Sequence, residues 1–154
     1  MREILFRGKA EKNGEWVYGS LIATHGDCII YSKYHPLVTA PPETKGDYSN
    51  QYIVNPSTVG QYTGKTDKNG KKIFEGDIVK VHANDSYFDD CWGWQDHWVD
   101  VVCLVVYDRG RLQFNKRPAD KYYSEFVFNH KEENLEIIGN IHDNPELLED
   151  KPDD

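Results

Sequence analysis

The sequence predicts a mainly β protein, built as a small barrel or sandwich. Short runs of β-branched and aromatic residues recur along its 154 residues, and turn dipeptides such as Asn-Gly separate them. Helical periodicity is almost absent. The length suits one domain, or one core with a smaller satellite.

The composition indicates a folded but polar protein. Only 38% of the residues are apolar, yet 13% are aromatic, and a disordered chain would be poor in aromatics. The net charge of −8 disfavours sequence-independent binding to nucleic acid, which needs a basic surface. A mean hydropathy of −0.73 and the lack of a long apolar run argue against a transmembrane helix. The N-terminal residues lack the apolar segment of a secretory signal, so we expect a cytoplasmic protein.

The three cysteines are predicted to be reduced thiols. Cys28, Cys91 and Cys103 are an odd number, and a disulfide framework is not expected in a cytoplasmic chain. The absence of a Cys-x-x-Cys pair argues against a zinc ribbon or a thioredoxin-like redox centre.

The first third of the chain predicts four strands and one long loop. Asn13-Gly14 separates the first two strands, which therefore form an N-terminal β-hairpin. The fourth strand ends at Asn55-Pro56, a dipeptide that favours the start of a turn. A Pro-rich loop is predicted over residues 36–50. The predicted strands are residues 3–9, 15–23, 28–32 and 51–54.

Residues 62–81 are the best-defined part of the sequence. Asn69-Gly70 predicts a tight turn, because these residues tolerate the positive φ that hairpin turns require. A second reversal is expected at Gly76, and residues 78–81 then form a β-branched strand.

Residues 60–66 resemble a phosphate-binding loop only superficially. Three residues separate Gly60 from Gly64, whereas a P-loop needs four so that its backbone N–H groups can wrap the phosphates. The segment also leads into a hairpin turn and not into a helix. We therefore interpret it as a bend assisted by glycine.

The second half of the chain predicts one dominant strand. Residues 99–107 are apolar on both faces in their middle, which is typical of a strand covered on both sides. Residues 83–98 show neither helical nor alternating periodicity and are interpreted as an excursion between two strands of the same sheet. Residues 116–134 show no clear pattern. Further predicted elements are strands over residues 112–114 and 135–142 and one or two helical turns over residues 143–149, with Asn144 as N-cap and Pro145 at the first helical position.

Three separated motifs resemble the YopX family. They lie in residues 4–19, 59–79 and 137–147, in the family's order. The resemblance implies a small cytoplasmic protein of phage or prophage origin, with an SH3-like β-barrel and oligomeric assembly, and it implies no catalytic residue. The predicted domains are therefore an N-terminal β extension with the Pro-rich loop (residues 1–60), an SH3-like barrel with a short C-terminal helical turn (61–150) and an acidic tail (151–154).

Clustered aromatic residues in residues 83–98 give the leading functional hypothesis. Aromatics on such a segment are typical of interface hot spots, although they also suit a core that few apolar residues otherwise fill. We expect a non-enzymatic protein-interaction module that self-associates and binds a host or phage protein. The candidate interaction residues are Tyr87, Phe88, Trp92, Trp94 and Trp98.

A lysine-bearing hairpin supports the alternative of a nucleic-acid-associated factor. Lys68, Lys71 and Lys72 are the candidate phosphate contacts, with Lys65 and Lys80 nearby. A second basic cluster comprises Arg109, Arg111, Lys116 and Arg117. Such lysines more often form a solvated face that protects a sheet edge, and the negative net charge makes nucleic acid the less favoured partner.

A third alternative is a small metalloprotein centred on residues 82–98. Several side chains there are able to bind a metal, but their spacing fits neither paired zinc ligands nor a calcium loop, so no metal or cofactor is predicted. No motif fixes a catalytic set either. The metal-capable residues are His82, Asp85, Asp89, Asp90, Cys91, Asp96 and His97.

Overall fold

The computed structural model describes residues 3–32, 50–84, 86–108, 110–115, 124–126 and 130–149. These residues contain thirteen strands, and their only helical structure consists of short 3₁₀ turns, so the mainly β class is confirmed. None of the helical turns in these ranges is long and apolar enough to cross a membrane. The chain divides into two compact units, Met1–Tyr62 and Thr63–Asp154. The acidic tail and the Pro-rich loop, apart from Asn50, lie outside the described residues.

The first unit is an antiparallel sheet. The order is β4-β3-β2-β1-β5, and Gly14, with φ of 71°, lies in the turn of the predicted hairpin, which is confirmed. Ala10 forms an isolated antiparallel bridge with Val54, so the last strand of this series returns to the end of the first. The strands are β1 (Phe6–Lys9), β2 (Trp16–Ala23), β3 (Cys28–Tyr31), β4 (Gln51–Val54) and the start of β5 (Gly60–Thr66).

The two faces of this sheet differ in burial. Ala10, Val17, Ile30 and Val54 form a buried core cluster on one face. On the other face the register places Ile22 and Ile53 on either side of Ile29, and the outer two are about half exposed (50% and 53%). We name these three residues the isoleucine row, and the alternation of β2 and β4 is what brings them to the surface.

The second unit contains a five-stranded antiparallel sheet. Its order is β12-β11-β10-β7-β13, and β8 and β9 form a separate two-stranded hairpin. The sheet is not closed, so the barrel stays a prediction within the mainly β class. The remaining strands are β6 (Lys72–Phe74), β7 (Asp77–Asn84), β8 (Tyr87–Asp89), β9 (Gly93–Gln95), β10 (Trp98–Asp108), β11 (Arg111–Asn115), β12 (Ser124–Phe126) and β13 (Leu135–Asn140).

The core of this unit follows the two-residue period of its central strands. In β10, Val101, Cys103 and Val105 are buried, and they pack with Val79 and Val81 of β7. The opposite side of β10 is covered less completely than predicted. There Leu104 is buried, whereas its neighbours on that side are only half-buried.

The turn between β5 and β6 is fixed by a buried carboxylate. Gly70 has φ of 78°, as the Asn-Gly prediction requires. Asp67 accepts hydrogen bonds at Oδ1 from the backbone N–H groups of Asn69 and Lys71, both at 2.9 Å. Its Oδ2 accepts from the N–H of Ile137 in β13 at 3.2 Å. The turn is thereby tied to a strand 70 residues away in sequence.

The predicted C-terminal helical segment is a single 3₁₀ turn, Pro145–Leu148. Pro145 begins it and Asn144 occupies the N-cap position, both as predicted, but the Asn144 side chain makes no capping hydrogen bond. The Asn144 Oδ1 atom accepts from the backbone N–H of Asn140 instead, at 3.4 Å. The side chain therefore points back to β13 and leaves the first turn uncapped by it.

Candidate functional site: an aromatic β ribbon

Strands β7 to β10 form one long hairpin in a single register. The β7–β10 ladder ends at the pair Asn84 and Trp98. Toward the tip of the hairpin, the next positions in the same register are Ser86 and Asp96. The positions after those are Phe88 and Trp94, which are paired in the β8–β9 ladder. We call residues 78–104 the ribbon. The predicted excursion between two strands of one sheet is confirmed, but the interpretation of it as aperiodic is wrong.

Polar side chains on one face of the ribbon form hydrogen bonds between its two ladders. The Asp96 Oδ1 atom accepts hydrogen bonds from Asn84 Nδ2 (3.1 Å) and Ser86 Oγ (3.2 Å). Ser86 Oγ also lies 2.6 Å from Asn84 Oδ1, so the Asp96 and Asn84 oxygens share its single hydroxyl proton. Because alternate residues of a strand share a face, the side opposite the buried valines is continuous from Lys80 to Phe88, about 26 Å. We call this side the outer face.

The outer face presents three of the five predicted aromatic residues. Phe88 and Trp94 meet edge to face, with ring centres 5.7 Å apart, and are 60% and 75% exposed. Trp98 is 51% exposed and stacks on His82, at 5.0 Å and 11° between the rings. Phe88 and Trp94 pack against each other, Trp98 packs on His82, and all three are exposed, so the interpretation of them as core residues is wrong.

The other two predicted aromatics lie elsewhere on the same hairpin. Tyr87 pairs with Gln95 on the face opposite Phe88, and it is exposed. Trp92 stands in the turn and is the most exposed of the five, at 80%. Asp89 Oδ1 orders this turn by accepting from the N–H groups of Cys91 (2.8 Å) and Trp92 (2.9 Å). The turn thus holds an indole at the tip of the ribbon.

The ribbon carries acidic charge next to its aromatic rings. Residues 78–104 contain five aspartates, one lysine (Lys80) and no arginine. Asp96 and Asp100 are exposed on the outer face, on either side of Trp98 in the sequence. The Asp100 Oδ1 atom lies 2.8 Å from Nδ1 of His82, so it forms an ion pair when that histidine is protonated.

An open groove of about 240 Å³ lies at the base of the outer face. Glu136 crosses it, with Oε2 at 2.9 Å from Lys68 Nζ and 3.1 Å from Lys80 Nζ. The hydrogen bond from Lys68, and then the one from Lys80, lowers the pKa of Glu136, and the same contact with Glu136 raises the pKa of Lys80. The lining residues are Lys68, Lys80, His82, Asp100, Glu133, Asn134, Leu135 and Glu136.

The predicted phosphate-contacting lysines are only partly available to a ligand. Lys68 shares Glu136 with Lys80, and Lys65 Nζ donates to the carbonyl oxygen of His130. Lys71 is exposed in the turn after Asn69-Gly70, and Lys72 is half-buried in β6. Arg109, Lys116 and Arg117 of the second basic cluster lie outside the described residues.

The metal-capable side chains of residues 82–98 are mostly engaged with the hairpin itself. Asp89 orders the tip, Asp96 joins the two ladders, and His82 contacts Asp100 and Trp98. Among the described residues, which omit Asp85, no three His, Cys, Asp or Glu side chains are grouped to hold a metal ion.

Sequence inspection missed the outer face and the isoleucine row. The sequence does contain the alternation Trp94, Asp96, Trp98, Asp100. Only the pairing of β10 with β7 and of β9 with β8 shows that these side chains share one face. The isoleucine row depends on the register of three strands, which a single sequence does not specify.

Together, the fold and this surface define a small mainly β protein with an exposed aromatic ribbon. The chain belongs to the YopX family, whose model, described as YopX protein, matches residues 5–149. No curated protein matches the chain.

Two solved structures are similar to it. Protein EF1440 from Enterococcus faecalis shares 23% identity, covers 97% of this chain and 100% of its own, and has a TM-score of 0.53. The yopX protein from Bacillus subtilis shares 23% identity, covers 99% and 100%, and has a TM-score of 0.49.

Proposed function

We propose that this protein is a non-enzymatic protein-interaction module that binds a partner protein through the ribbon and also self-associates. The exposure of Phe88, Trp92, Trp94 and Trp98 on one hairpin is the observation that carries the proposal. Large aromatic side chains lose much water-accessible area on binding at little cost in side-chain entropy, and they dominate many interfaces. Monomeric proteins rarely expose large apolar patches, and such patches are typical of interaction sites.

The ribbon is also built to hold these side chains in place. Asp89 fixes the turn, and the hydrogen bonds among Asn84, Ser86 and Asp96 join the hairpin to the sheet. An ordered surface binds more tightly than a mobile one, because less conformational entropy is lost on association. The partner in this proposal is a host or phage protein.

Self-association is proposed through the isoleucine row of the first unit. Ile22 and Ile53 are half exposed on the same face, with Ile29 between them. Burying such a row against a second copy removes apolar area from water, which stabilises association.

The proposal extends to fold and setting. The antiparallel order of the five-stranded sheet supports an SH3-like barrel, and the family membership supports a phage or prophage origin. Cys28, Cys91 and Cys103 form no disulfide among the described residues, which supports a reducing compartment such as the cytoplasm.

Affinity capture with the full-length chain tests the partner. The chain is immobilised and exposed to lysate of its producing host, beside the double variant Phe88→Ser with Trp94→Ser. Tyr107→Ser is the matched control, since Tyr107 is 58% exposed and lies at the far end of β10. We expect a protein that the wild type and the control retain and the double variant loses. Retention of the same proteins by all three chains would contradict the proposal.

Light scattering at increasing concentration tests self-association. We expect a molar mass that rises above 17.9 kDa for the wild type and falls back for Ile22→Ser with Ile53→Ser. Ile4→Ser, at an exposed isoleucine outside the row, should behave as the wild type. A wild-type mass that stays monomeric at every concentration would end this part of the proposal.

A further inference from the structure

We propose that the outer face of the ribbon binds an extended polypeptide segment that carries arginine or lysine at alternate positions, an inference that rests on the proposed function. It names the chemistry of the partner, which the exposed aromatic residues alone leave open.

The spacing of the outer face is the first argument. Aromatic and acidic side chains alternate along the outer face. Every second residue of β9 and β10 lies on it, in the order Trp94, Asp96, Trp98 and Asp100. Same-face residues of an extended chain are about 6.8 Å apart. A bound segment in an extended conformation has the same repeat. Each of its basic residues that faces the ribbon can therefore contact one ring and one neighbouring carboxylate.

The chemistry of the rings is the second argument. An arginine or lysine cation placed over an indole face is attracted by the negative face of the ring. Trp94 and Trp98 are 75% and 51% exposed, which leaves ring surface available for such a contact. The first unit already contains this contact, because the guanidinium carbon of Arg7 lies 4.6 Å from the ring centre of Trp16.

The charge of the ribbon is the third argument. The ribbon carries five aspartates against one lysine, Lys80, and no arginine, so a cationic segment is attracted and nucleic acid is repelled. The two lysines at the base of the face, Lys68 and Lys80, are both hydrogen-bonded to Glu136, and the groove there holds three carboxylates against these two lysines. The negative character of the outer face therefore extends to its base.

Selection from a random library of displayed 12-residue peptides tests the inference. The full chain is the bait, and the double variant Phe88→Ser with Trp94→Ser is the counter-bait. We expect selected peptides to be enriched in arginine or lysine at every second position. A synthetic peptide of the selected sequence should bind at least tenfold more weakly when citrulline replaces its arginines, or norleucine its lysines, because these side chains lack the charge.

Two variants of the protein complete the test. Asp96→Asn with Asp100→Asn keeps the shape of the face and should weaken the peptide at least fivefold, with a shallower salt dependence. Asp27→Asn, at an exposed turn of the first unit, should leave the affinity unchanged. Circular dichroism confirms that each variant is folded.

The contrary outcomes are distinct. Enrichment of neutral or acidic peptides that need Phe88 and Trp94 would overturn the inference and leave the proposed function standing. Absence of any peptide that prefers the wild type, together with capture of no partner, would overturn both. A rise in molar mass with concentration that the Phe88 and Trp94 variant abolishes would assign the face to a second copy and overturn the inference as well.

Discussion

Replacement of Asp67 by alanine should destabilise the second unit by about 2 to 4 kcal/mol. The carboxylate is 3% exposed and accepts three backbone N–H groups, those of Asn69, Lys71 and Ile137. A hydrogen bond to a charged group contributes about 1.5 to 3 kcal/mol. The donors of Asn69 and Lys71 lie in a turn where water can replace the carboxylate, so the loss at part-buried Ile137 dominates.

The pH dependence gives this prediction a sign. Burial raises the pKa of Asp67, but the hydrogen bonds from Lys71, Ile137 and Asn69 outweigh it, so the pKa lies below its ordinary value of 3.8. A lowered pKa in the folded state means that the ionised group stabilises the fold above pH 3.8, and that this contribution is lost as the pH falls through the folded value. The difference in the free energy of unfolding between the wild type and Asp67→Asn should therefore decrease as the pH falls below 3.8.

Two measurements check it. Denaturant unfolding at pH 7, followed by circular dichroism, gives the free energy of unfolding, and Asp27→Ala serves as the exposed-aspartate control, expected within about 0.5 kcal/mol of the wild type. Amide exchange at Ile137 should accelerate in Asp67→Ala, because its N–H loses its carboxylate acceptor. A variant within 0.5 kcal/mol of the wild type, with unchanged exchange at Ile137, would refute the reasoning.

Two further predictions concern other parts of the chain. Gly19→Ala should destabilise the first unit by about 3 kcal/mol, because a Cβ there would lie 2.0 Å from the carbonyl oxygen of Tyr31. Ser20→Ala is the control, and a melting temperature of Gly19→Ala equal to that of the wild type would contradict the expectation. Glu136→Gln should lower the pKa of Lys80 toward its ordinary 10.5, measured by NMR titration of the lysine side chains, because Glu136 raises that pKa. Glu146→Gln should leave the titration of Lys80 as it is, and an unchanged Lys80 in Glu136→Gln would show that the pair does not persist in solution.

Local signals in the sequence predicted much of the strand pattern. The hairpin at Asn13-Gly14, the turn at Asn69-Gly70 and the strand after Gly76 all depend on residues within a few positions of one another. Turn chemistry of this kind is readable without knowledge of the fold. The family motifs likewise pointed to the family that the comparison confirms.

Features that depend on pairing over long distances were not predicted. The role of Asp67 is not visible in the sequence, because its hydrogen bond with Ile137 spans 70 residues. The outer face was not predicted because the strand pairing is interrupted between Asn84 and Phe88, and only the partner strand shows that the register continues. The exposure of the tryptophans was also undecidable from position, since aromatic residues serve both cores and interfaces.

The most direct test of the ribbon as the binding surface is an NMR titration of the indole N–H signals with the captured partner. The chain has four tryptophans, and three of them lie in residues 92–98, so single Trp→Phe variants assign the spectrum. We predict that the signals of Trp94 and Trp98 shift or broaden on addition of the partner while that of Trp16, in the first unit, stays in place. A partner that binds without changing the signals of Trp94 and Trp98 would contradict the account.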